Sequence, residues 1–346
     1  MPSVPLSRTD AAIDGRRSTA LRAGVIGCGR MGRIRAEHLH LLGCRVAVVH
    51  DADPRASDAL AAGLPGCRAV HDEADIPWDA LDLVVLATPP GVRRSYFEAA
   101  IAHGAALFLE KPIGLDAASW AALSKRYGLD GRVVGVGYMN RCRPSVRAAR
   151  EWLRDNPPLT ASAHWIGGRY NVPWWPDERL SGGPLNEQAG HLVDLLRYLV
   201  GEIAAVQCKI DMRHARYNGS AAVLTFRTGA VGTLLHGCDA TAKSIGLHVF
   251  GSDGTVRLKD WQFDGEMPDG TLVPGGIGED RNGIFLEEMR RFLEAVRAQD
   301  ASMVPCHLSD AIRTQAVLDA LRASARTLEH HVVDMPDATE PDPAGA

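Results

Sequence analysis

The stretch LRAGVIGCGRMG, residues 21–32, decides the fold of the first half of the chain. Its first six residues form an apolar run that predicts a strand, and a helix is predicted over residues 31–42. Between them lie three glycines in a GxGxxG pattern, which permit a tight turn, close approach of the backbone to a pyrophosphate and packing of helix on strand. This setting favours a dinucleotide site over a simple glycine-rich turn. The residues predicted to contact the cofactor here are Gly27, Gly29, Arg30, Met31 and Gly32.

An acidic residue follows the second predicted strand, residues 45–50. The carboxylate of Asp51 can accept hydrogen bonds from both hydroxyls of an adenosine ribose, and it would repel a 2′-phosphate. We therefore predict NAD as the cofactor in preference to NADP. Three arginines close in the sequence could instead pair with a phosphate, which keeps NADP open as the alternative. They are Arg30, Arg33 and Arg55.

The alternation of strands and helices continues to the middle of the chain and predicts a doubly wound parallel sheet, whose strands end at the ligand crevice. Thr88 and Pro89 follow one buried strand, and Glu110 and Lys111 follow the next, in GAALFLEKP at 104–112. We predict that all four contact the cofactor. The alternatives are an ordinary turn at Thr88 and a solvated charge at Lys111. The remaining elements predicted here are helices at 53–64, 92–103 and 116–127 and strands at 82–87, 105–109 and 133–138.

The second half of the chain changes character. Short strand-like segments separated by glycine and asparagine turns predict an antiparallel meander, so the fold class is α/β with a mostly antiparallel second sheet. We predict an NAD(P)-binding Rossmann domain at 21–140 and a substrate and oligomerisation domain at 141–332, between disordered tails at 1–20 and 333–346. The predicted elements are strands at 160–165, 204–211, 220–227, 230–237 and 245–251, helices at 145–154, 283–297 and 308–330, and a long loop at 260–282.

A second group of polar residues lies in SGGPLNEQAGHLVD, residues 181–194, which predicts a glycine turn leading into an amphipathic helix that ends near residue 199. Glu187 and His191 are four residues apart and share one helical face, and Asp194 is three residues further on. A histidine on a helix can also be purely structural. The preceding carboxylate and the glycine-rich entry, which lets a substrate approach, favour a functional one.

The bulk properties restrict the class of partner. The chain has 346 residues, 46% of them hydrophobic, and a net charge of −4. It therefore lacks the excess positive charge that is typical of nucleic-acid-binding proteins. No apolar run reaches the length of a membrane span, and the N-terminus has no secretory signal, so we expect a cytoplasmic protein with a small-molecule partner. The seven cysteines show no zinc spacing, and no metal is expected.

The chain resembles the Gfo/Idh/MocA family of oxidoreductases over roughly residues 21 to 332. The similarity rests on several motifs that occur in this order and spacing. They are GCGRMG at 27–32, DADP at 51–54, TPP at 88–90, GAALFLEKP at 104–112, GYMNRCRP at 137–144, SGGPLNEQAGHLVD at 181–194 and HVFGSDGTV at 248–256.

The resemblance implies a Rossmann domain, a second domain whose open sheet mediates homodimers or homotetramers, and a nicotinamide cofactor. It also implies that Lys111 and His191 are catalytic. Two positions depart from the family pattern. Glu187 stands where aspartate is common, so its role could be substrate binding rather than catalytic support, and Arg93 stands where histidine is common, which leaves one cofactor or substrate contact open.

These residues suggest reversible hydride transfer between the nicotinamide and a carbon that bears a secondary hydroxyl. His191 would be the general base, and Lys111 would stabilise charge on the same oxygen. Glu187, the third predicted catalytic residue, or Asp194 would orient the imidazole or bind neighbouring hydroxyls. The expected substrate is a polyhydroxylated ring, namely a sugar, cyclitol or amino-cyclitol. The predicted substrate-binding residues are Lys111, Asn140, Arg141, Trp174, Glu187, His191 and Asp194.

Two alternatives remain open from the sequence. An NAD(P)H-dependent reductase of an imine or enone would use the same cofactor site without a histidine base. A non-catalytic NAD-binding regulatory protein would keep the fold without turnover. Both are distinguished from a dehydrogenase by measuring cofactor binding and turnover on a panel of polyols.

Overall fold

The structure is a computed structural model that describes residues 20–212, 217–278 and 282–335. The predicted disordered tails at 1–20 and 333–346 lie outside these residues, except for residue 20 and residues 333–335. Within the described ranges, every helix is too short or too polar to cross a membrane.

The first half forms a six-stranded sheet in the order β3-β2-β1-β4-β5-β6, and each pair of neighbours is parallel. This confirms the doubly wound sheet. Helices α1 to α4 connect its strands. The strands are β1 (Arg22–Ile26), β2 (Arg45–His50), β3 (Arg68–Val70), β4 (Leu83–Leu86), β5 (Ala106–Leu109) and β6 (Val134–Val136), and the helices are α1 (Arg30–Leu41), α2 (Pro54–Ala62), α3 (Arg93–Ala102) and α4 (Ala117–Tyr127).

Burial explains why the parallel strands are visible in the sequence. All four residues of β4 are fully buried, as expected for a strand with helices on both faces of its sheet. Asp116 caps α4 by accepting a hydrogen bond from the backbone N–H of Ser119. The three-residue strand β3 was not predicted, because so short a segment carries no periodic signal. The strand order reverses between β1 and β4, and this places the ligand crevice at their carboxyl ends.

The second half forms a nine-stranded sheet in the order β14-β13-β12-β11-β7-β10-β9-β8-β15, which is antiparallel except where β10 pairs with β7. The first five strands of this sheet in chain order were predicted, and the last four were not. They are β7 (Pro158–Ile166), β8 (Ile203–Asp211), β9 (Gly219–Phe226), β10 (Val231–Gly237), β11 (Ser244–Gly251), β12 (Gly254–Lys259), β13 (Asp264–Glu266), β14 (Leu272–Val273) and β15 (His331–Val332).

Two predictions for this region were wrong. The strands do not form a simple meander, because β7 lies between β10 and β11. The helical crossover that follows β7 lets a later strand return parallel to it, which a hairpin connection cannot do. The predicted loop at 260–282 contains the paired strands β13 and β14 instead, and residues 279–281 lie outside the described ranges.

Among the described residues, helices pack on one face of the large sheet, and none packs on the other. Helix α8 follows the sheet in the sequence but packs on the first domain, where Phe292 contacts Phe108 edge to face at 5.2 Å. On the open face, β9 and β10 alternate buried with exposed residues, and the exposed side chains include Val223 and Leu235. The helices are α5 (Pro144–Asp155), α6 (Glu178–Ser181), α7 (Gly190–Val200), α8 (Gly283–Ala298) and α9 (Leu308–Thr327).

Candidate active site

A cavity of about 890 Å³ runs from the glycine turn after β1 to the start of α7. Asp51 lines one end of it, and Lys111, Glu187 and His191 line the other. The cavity therefore joins the predicted cofactor residues of the first domain to the predicted catalytic residues of both domains. Of the predicted site residues, those that line it are Gly27, Gly29, Arg30, Met31, Asp51, Thr88, Pro89, Glu110, Lys111, Trp174, Glu187 and His191.

The glycine turn has the geometry of a phosphate cradle. Gly27 adopts a φ of +93°, which favours glycine. A Cβ on Gly32 would lie 1.8 Å from the carbonyl oxygen of Gly27, so any side chain there would separate helix from strand. A Cβ on Gly29 would meet nothing within 4 Å, and Gly29 caps α1 without a side-chain hydrogen bond. The first N–H groups of α1 are thus left to bind an anion.

Asp51 is fixed beside this turn by two backbone hydrogen bonds. Its Oδ2 accepts from the N–H of Cys28 at 2.6 Å, and its Oδ1 accepts from the N–H of Asp53 at 2.9 Å. The carboxylate therefore faces the end of the cavity where an adenosine ribose would lie. Of the arginines that kept NADP open, Arg33 and Arg55 are not among the residues that line the cavity.

Lys111 and Glu187 form an ion pair across the two domains. Nζ of Lys111 donates to the backbone carbonyl of Glu187 at 2.9 Å and to its Oε2 at 3.3 Å. The side chains are only 13% and 4% exposed, so the pair is largely shielded from water. Burial is the largest single effect and opposes the charge on Lys111, but Glu187, Tyr170 and Glu110 together outweigh it and raise the pKa of the lysine. Lys111 is therefore a positively charged donor at neutral pH.

A π-helical turn creates this contact. The sequence predicts a regular helix here, but residues Leu185–Ala189 form a π turn that leads into α7, and all five are buried. A π turn shifts the backbone hydrogen bonds and occurs frequently at functional sites. Here the carbonyl of Glu187 accepts a hydrogen bond from Lys111. The turn explains how a backbone group and a side chain of the same residue both reach one lysine.

His191 lies in the first turn of α7 and is 3% exposed. Its Nδ1 is buried and has no hydrogen-bond partner within the described part of the chain. Burial lowers the pKa of His191 well below 6.5, and the nearby positive charges of Lys111 and Arg143 lower it further. The imidazole is therefore neutral at physiological pH, as a base that accepts a proton must be.

Arg93 fixes the segment that carries Lys111. Its buried guanidinium donates to the backbone carbonyls of Glu110 and Pro112, on either side of Lys111, and to that of Thr88. Burial lowers the pKa of Arg93 to about 10, so it remains charged at neutral pH. Arg93, at the position where histidine is common in the resembling family, thus holds two turns of the first domain together.

The carboxylate of Glu110 faces the core. It accepts a hydrogen bond from Nε of Arg35 at 2.7 Å, and Arg35 also pairs with Glu288 at 2.7 Å. These side chains are fully or almost fully buried. Glu110 contributes to the cavity wall, but its charged group is engaged by Arg35, which argues against a carboxylate contact to the cofactor.

Three predicted substrate residues lie behind the cavity, not in its wall. Arg141 donates to Asp194 at 2.6 and 3.0 Å and also to Asp310. Asn140 accepts from Nε of Arg143 at 2.7 Å. A buried guanidinium is stable only when carboxylates or carbonyls surround it. Asn140, Arg141 and Asp194 are therefore not among the residues that line the cavity, and their contact with a substrate stays a prediction.

Several residues that line the cavity were missed by the sequence reasoning. Tyr96 lies beside His50, whose Nε2 is 3.2 Å from the tyrosine hydroxyl, at the end near Asp51. Trp261, after β12, joins Tyr170 and the predicted Trp174 at the other end. Tyr170 lies in the run YNVPWW at 170–175, which also contains Trp174. Tyr96 and Trp261 lie in no recognisable motif, and only the folded structure shows that they line the cavity.

The profiles of one protein family match both halves of the chain. The profile described as the NAD-binding Rossmann fold of the oxidoreductase family matches residues 21–138. The profile described as its C-terminal alpha/beta domain matches residues 157–334. Both profiles belong to the Gfo/Idh/MocA family.

Individual relatives agree with this. The chain is 32% identical over 299 residues to inositol 2-dehydrogenase 2 of Mycolicibacterium vanbaalenii, which covers 80% of this chain and 85% of the relative. It is 35% identical over 201 residues to inositol 2-dehydrogenase of Mycolicibacterium gilvum, with 55% of each chain covered. In that match and several like it, the chain spans about half the length of the curated relative.

A solved structure shows the same fold. The chain superposes with a TM-score of 0.80 on levoglucosan dehydrogenase in complex with NADH and levoglucosan, at 19% identity, covering 91% of this chain and 100% of the other. The motifs in the sequence agree with the profile matches to both domains. They also agree with the match to the relative that aligns over most of its length. The chain is a member of the Gfo/Idh/MocA oxidoreductase family, and its first domain is the family's NAD-binding Rossmann domain.

Proposed function

We propose that this protein is an NAD-dependent dehydrogenase that oxidises a secondary hydroxyl of a cyclitol or sugar. One observation carries the proposal. The buried Lys111–Glu187 pair and the neutral His191 line one end of a cavity whose other end is the glycine turn with Asp51. A charged donor, a neutral base and a dinucleotide cradle within one cavity fit hydride transfer from an alcohol.

The residues at the cradle fit NAD. The turn leaves space above Gly29 and free N–H groups at the start of α1 for a pyrophosphate, and Asp51 presents a carboxylate to a ribose. When bound, the nicotinamide supplies the hydride acceptor. The side chains around it hold the substrate and handle the proton.

The proton and the developing charge are handled by His191 and Lys111. As the carbinol carbon gives up hydride, the hydroxyl proton passes to the neutral imidazole of His191. Lys111 donates a hydrogen bond to the same oxygen and stabilises its negative charge before the carbonyl is complete. Glu187 holds the ammonium of Lys111 in place through two contacts. In the reverse direction, the imidazolium returns the proton.

The walls beside these groups support the proposed substrate class. Tyr170, Trp174 and Trp261 line the same cavity as His191. Aromatic rings pack against the apolar faces of sugar and cyclitol rings, while polar groups bind the hydroxyls. The relatives named inositol 2-dehydrogenase and the structural neighbour bound to levoglucosan support a polyhydroxylated ring.

A substrate panel tests the proposal. The purified protein is mixed with NAD and, separately, with inositols, aminocyclitols, hexoses and anhydrosugars, and reduced nicotinamide is measured by absorbance. We expect NAD to be reduced in the presence of at least one cyclitol or sugar. If NAD binds and no polyol is oxidised, the regulatory alternative replaces this proposal. If only imines or enones are reduced with NADH, the reductase alternative replaces it.

We also propose that NAD is preferred over NADP because of Asp51. In Asp51→Ala, the Kd for NAD should rise about tenfold or more, the usual effect of losing hydrogen bonds to a charged group, and discrimination against NADP should shrink. Titration of each cofactor by fluorescence measures this. Asp58→Ala, an exposed aspartate on α2, is the control and should leave both constants unchanged. An unchanged NAD/NADP preference in Asp51→Ala would remove Asp51 from the cofactor site.

The open face of the nine-stranded sheet supports a homodimer or homotetramer. Exposed apolar residues are clustered on its central strands rather than scattered, and such patches are typical of subunit contacts. Sedimentation equilibrium should give a mass of two or four chains, and a mass of one chain would contradict the proposal. The exposed apolar residues on these strands are Val223, Val231, Leu235 and Phe250.

A further inference from the structure

The imidazole of His191 lacks the hydrogen bond that usually orients a catalytic base. In most such sites, a third group binds the ring nitrogen that does not face the substrate. Here Nδ1 is buried, and no described residue forms a hydrogen bond with it. The two carboxylates nearest in the sequence are engaged elsewhere, Glu187 by Lys111 and Asp194 by Arg141. The terminal torsion of a histidine side chain is broad, so another contact must fix the ring.

The indole of Trp165 makes that contact. Trp165 lies near the end of β7, which packs against α7, and it is 4% exposed. Its ring is stacked on that of His191 with centroids 5.5 Å apart and planes inclined by only 11°. Tyr138 meets the imidazole edge-on at 6.5 Å and 88°. Trp261 in turn packs edge-on against Trp165 at 5.6 Å, which supports the indole from the cavity side.

We propose that Trp165 is the positioning residue of the catalytic base. Its stacked indole holds the plane of His191 so that Nε2 is presented to the cavity, and it takes the place of the orienting carboxylate. The inference rests on the proposed role of His191 as base. Stacking fixes the plane of the ring but adds no negative charge, so the imidazole stays neutral until it accepts the substrate proton.

The charged surroundings of His191 are consistent with this arrangement. Lys111 approaches from the loop after β5 and Arg143 from the start of α5, and Glu187 offsets the charge of Lys111. Tyr138 presents its ring edge. Farther along α7, arginine and carboxylate side chains pair with one another in an ion network. No unpaired carboxylate of the described neighbours therefore faces the imidazole. The network comprises Arg141, Asp194, Arg197, Glu202 and Asp310.

Replacement of Trp165 separates this role from simple packing. Trp165→Phe keeps an aromatic face, whereas Trp165→Leu removes it. In Trp165→Leu, kcat for polyol oxidation should fall at least about tenfold while the Kd for NAD changes less than about twofold, because only the orientation of the base is lost. Trp165→Phe should retain most of the activity. Trp152→Leu is the matched control, a partly buried tryptophan on α5 that is remote from His191 and should leave kcat unchanged.

The titration of His191 gives a readout that does not require a substrate. It is followed by NMR on protein labelled with ¹³C at histidine, and the resonance is assigned by its absence in His191→Gln. Loss of the indole admits water to the ring, so the midpoint in Trp165→Leu should move up towards 6.5. Trp165→Phe should move it less, and Trp152→Leu should not move it.

Either an unchanged midpoint or an unchanged kcat in Trp165→Leu would overturn the proposal. If Trp165→Leu fails to fold, Trp165→Phe tests the proposal instead. A loss of kcat in Trp165→Phe as large as that in His191→Gln would show that a stacked aromatic ring is not sufficient to position the imidazole. If the wild-type protein oxidises no polyol, the proposed function fails. The titration then still tests the role of Trp165, because it needs no substrate. An unshifted midpoint in Trp165→Leu would contradict that role by itself.

Discussion

Replacing Lys111 by methionine is expected to lower kcat at least about a hundredfold, the usual contribution of one positioned acid–base or charge-stabilising group. The side chain of methionine fills similar space but cannot donate to the substrate oxygen. The glycine turn and Asp51, which are proposed to hold the phosphates and the ribose of NAD, lie at the other end of the cavity from Lys111, so the Kd for NAD should stay within about threefold of wild type. Stopped-flow or steady-state turnover with the preferred polyol measures the first quantity, and fluorescence titration the second.

The buried ion pair requires a second variant to interpret this result. Lys111→Met leaves Glu187 buried without its partner, and breaking such a pair lowers the free energy of unfolding by about 3–5 kcal/mol. Combining Lys111→Met with Glu187→Gln removes the stranded charge, so stability should recover while turnover does not. Lys125→Met, an exposed lysine on α4, is the control. Near-normal turnover in Lys111→Met would remove Lys111 from the catalytic step.

His191→Gln is the second change with a large expected effect. It should lower kcat at least about a hundredfold, because glutamine cannot accept the hydroxyl proton, and it should leave NAD binding intact. His40→Gln, an exposed histidine on α1, should behave as wild type. A His191→Gln enzyme that retains most of its turnover would remove His191 from the proton-transfer step.

The pH dependence of the wild-type enzyme gives an independent check on His191. Burial and then the positive charges of Lys111 and Arg143 lower the pKa of this imidazole well below 6.5, so it remains neutral to a lower pH than a free histidine. Oxidation of the alcohol needs the neutral form. Therefore kcat should stay constant as the pH falls to 6.5, and it should decline only below that value. An acid limb centred at or above 6.5 would contradict the assignment.

Much of the fold could be predicted from the sequence because its signals are local. The glycine turn after β1, the apolar run of β4 and the acidic residue after β2 each have their pattern within a few residues. The parallel pairing of β7 with β10 is different, since it depends on which strands meet after a long crossover. The short strands β3, β13 and β14 are held by neighbours rather than by their own periodicity.

The candidate site divides in the same way. Lys111 and His191 occupy positions that motifs mark, and the structure brings both to one cavity. Arg141 is in a motif too, but the motif does not show that Asp194 and Asp310 enclose its guanidinium. Trp165 and Arg93 act through contacts between segments that are distant in the sequence. Such contacts carry no local pattern, so only the packed structure reveals them.

The central claim is that the carbinol hydrogen of a polyol passes directly to NAD in this cavity. The most direct measurement is isotope transfer with ring-deuterated myo-inositol, or the best polyol of the panel in deuterated form, followed by mass spectrometry of the cofactor. We predict that the reduced nicotinamide carries one deuterium and that Lys111→Met forms it at least about a hundredfold more slowly. Reduced cofactor without deuterium, or no reduction with any polyol, would contradict the claim.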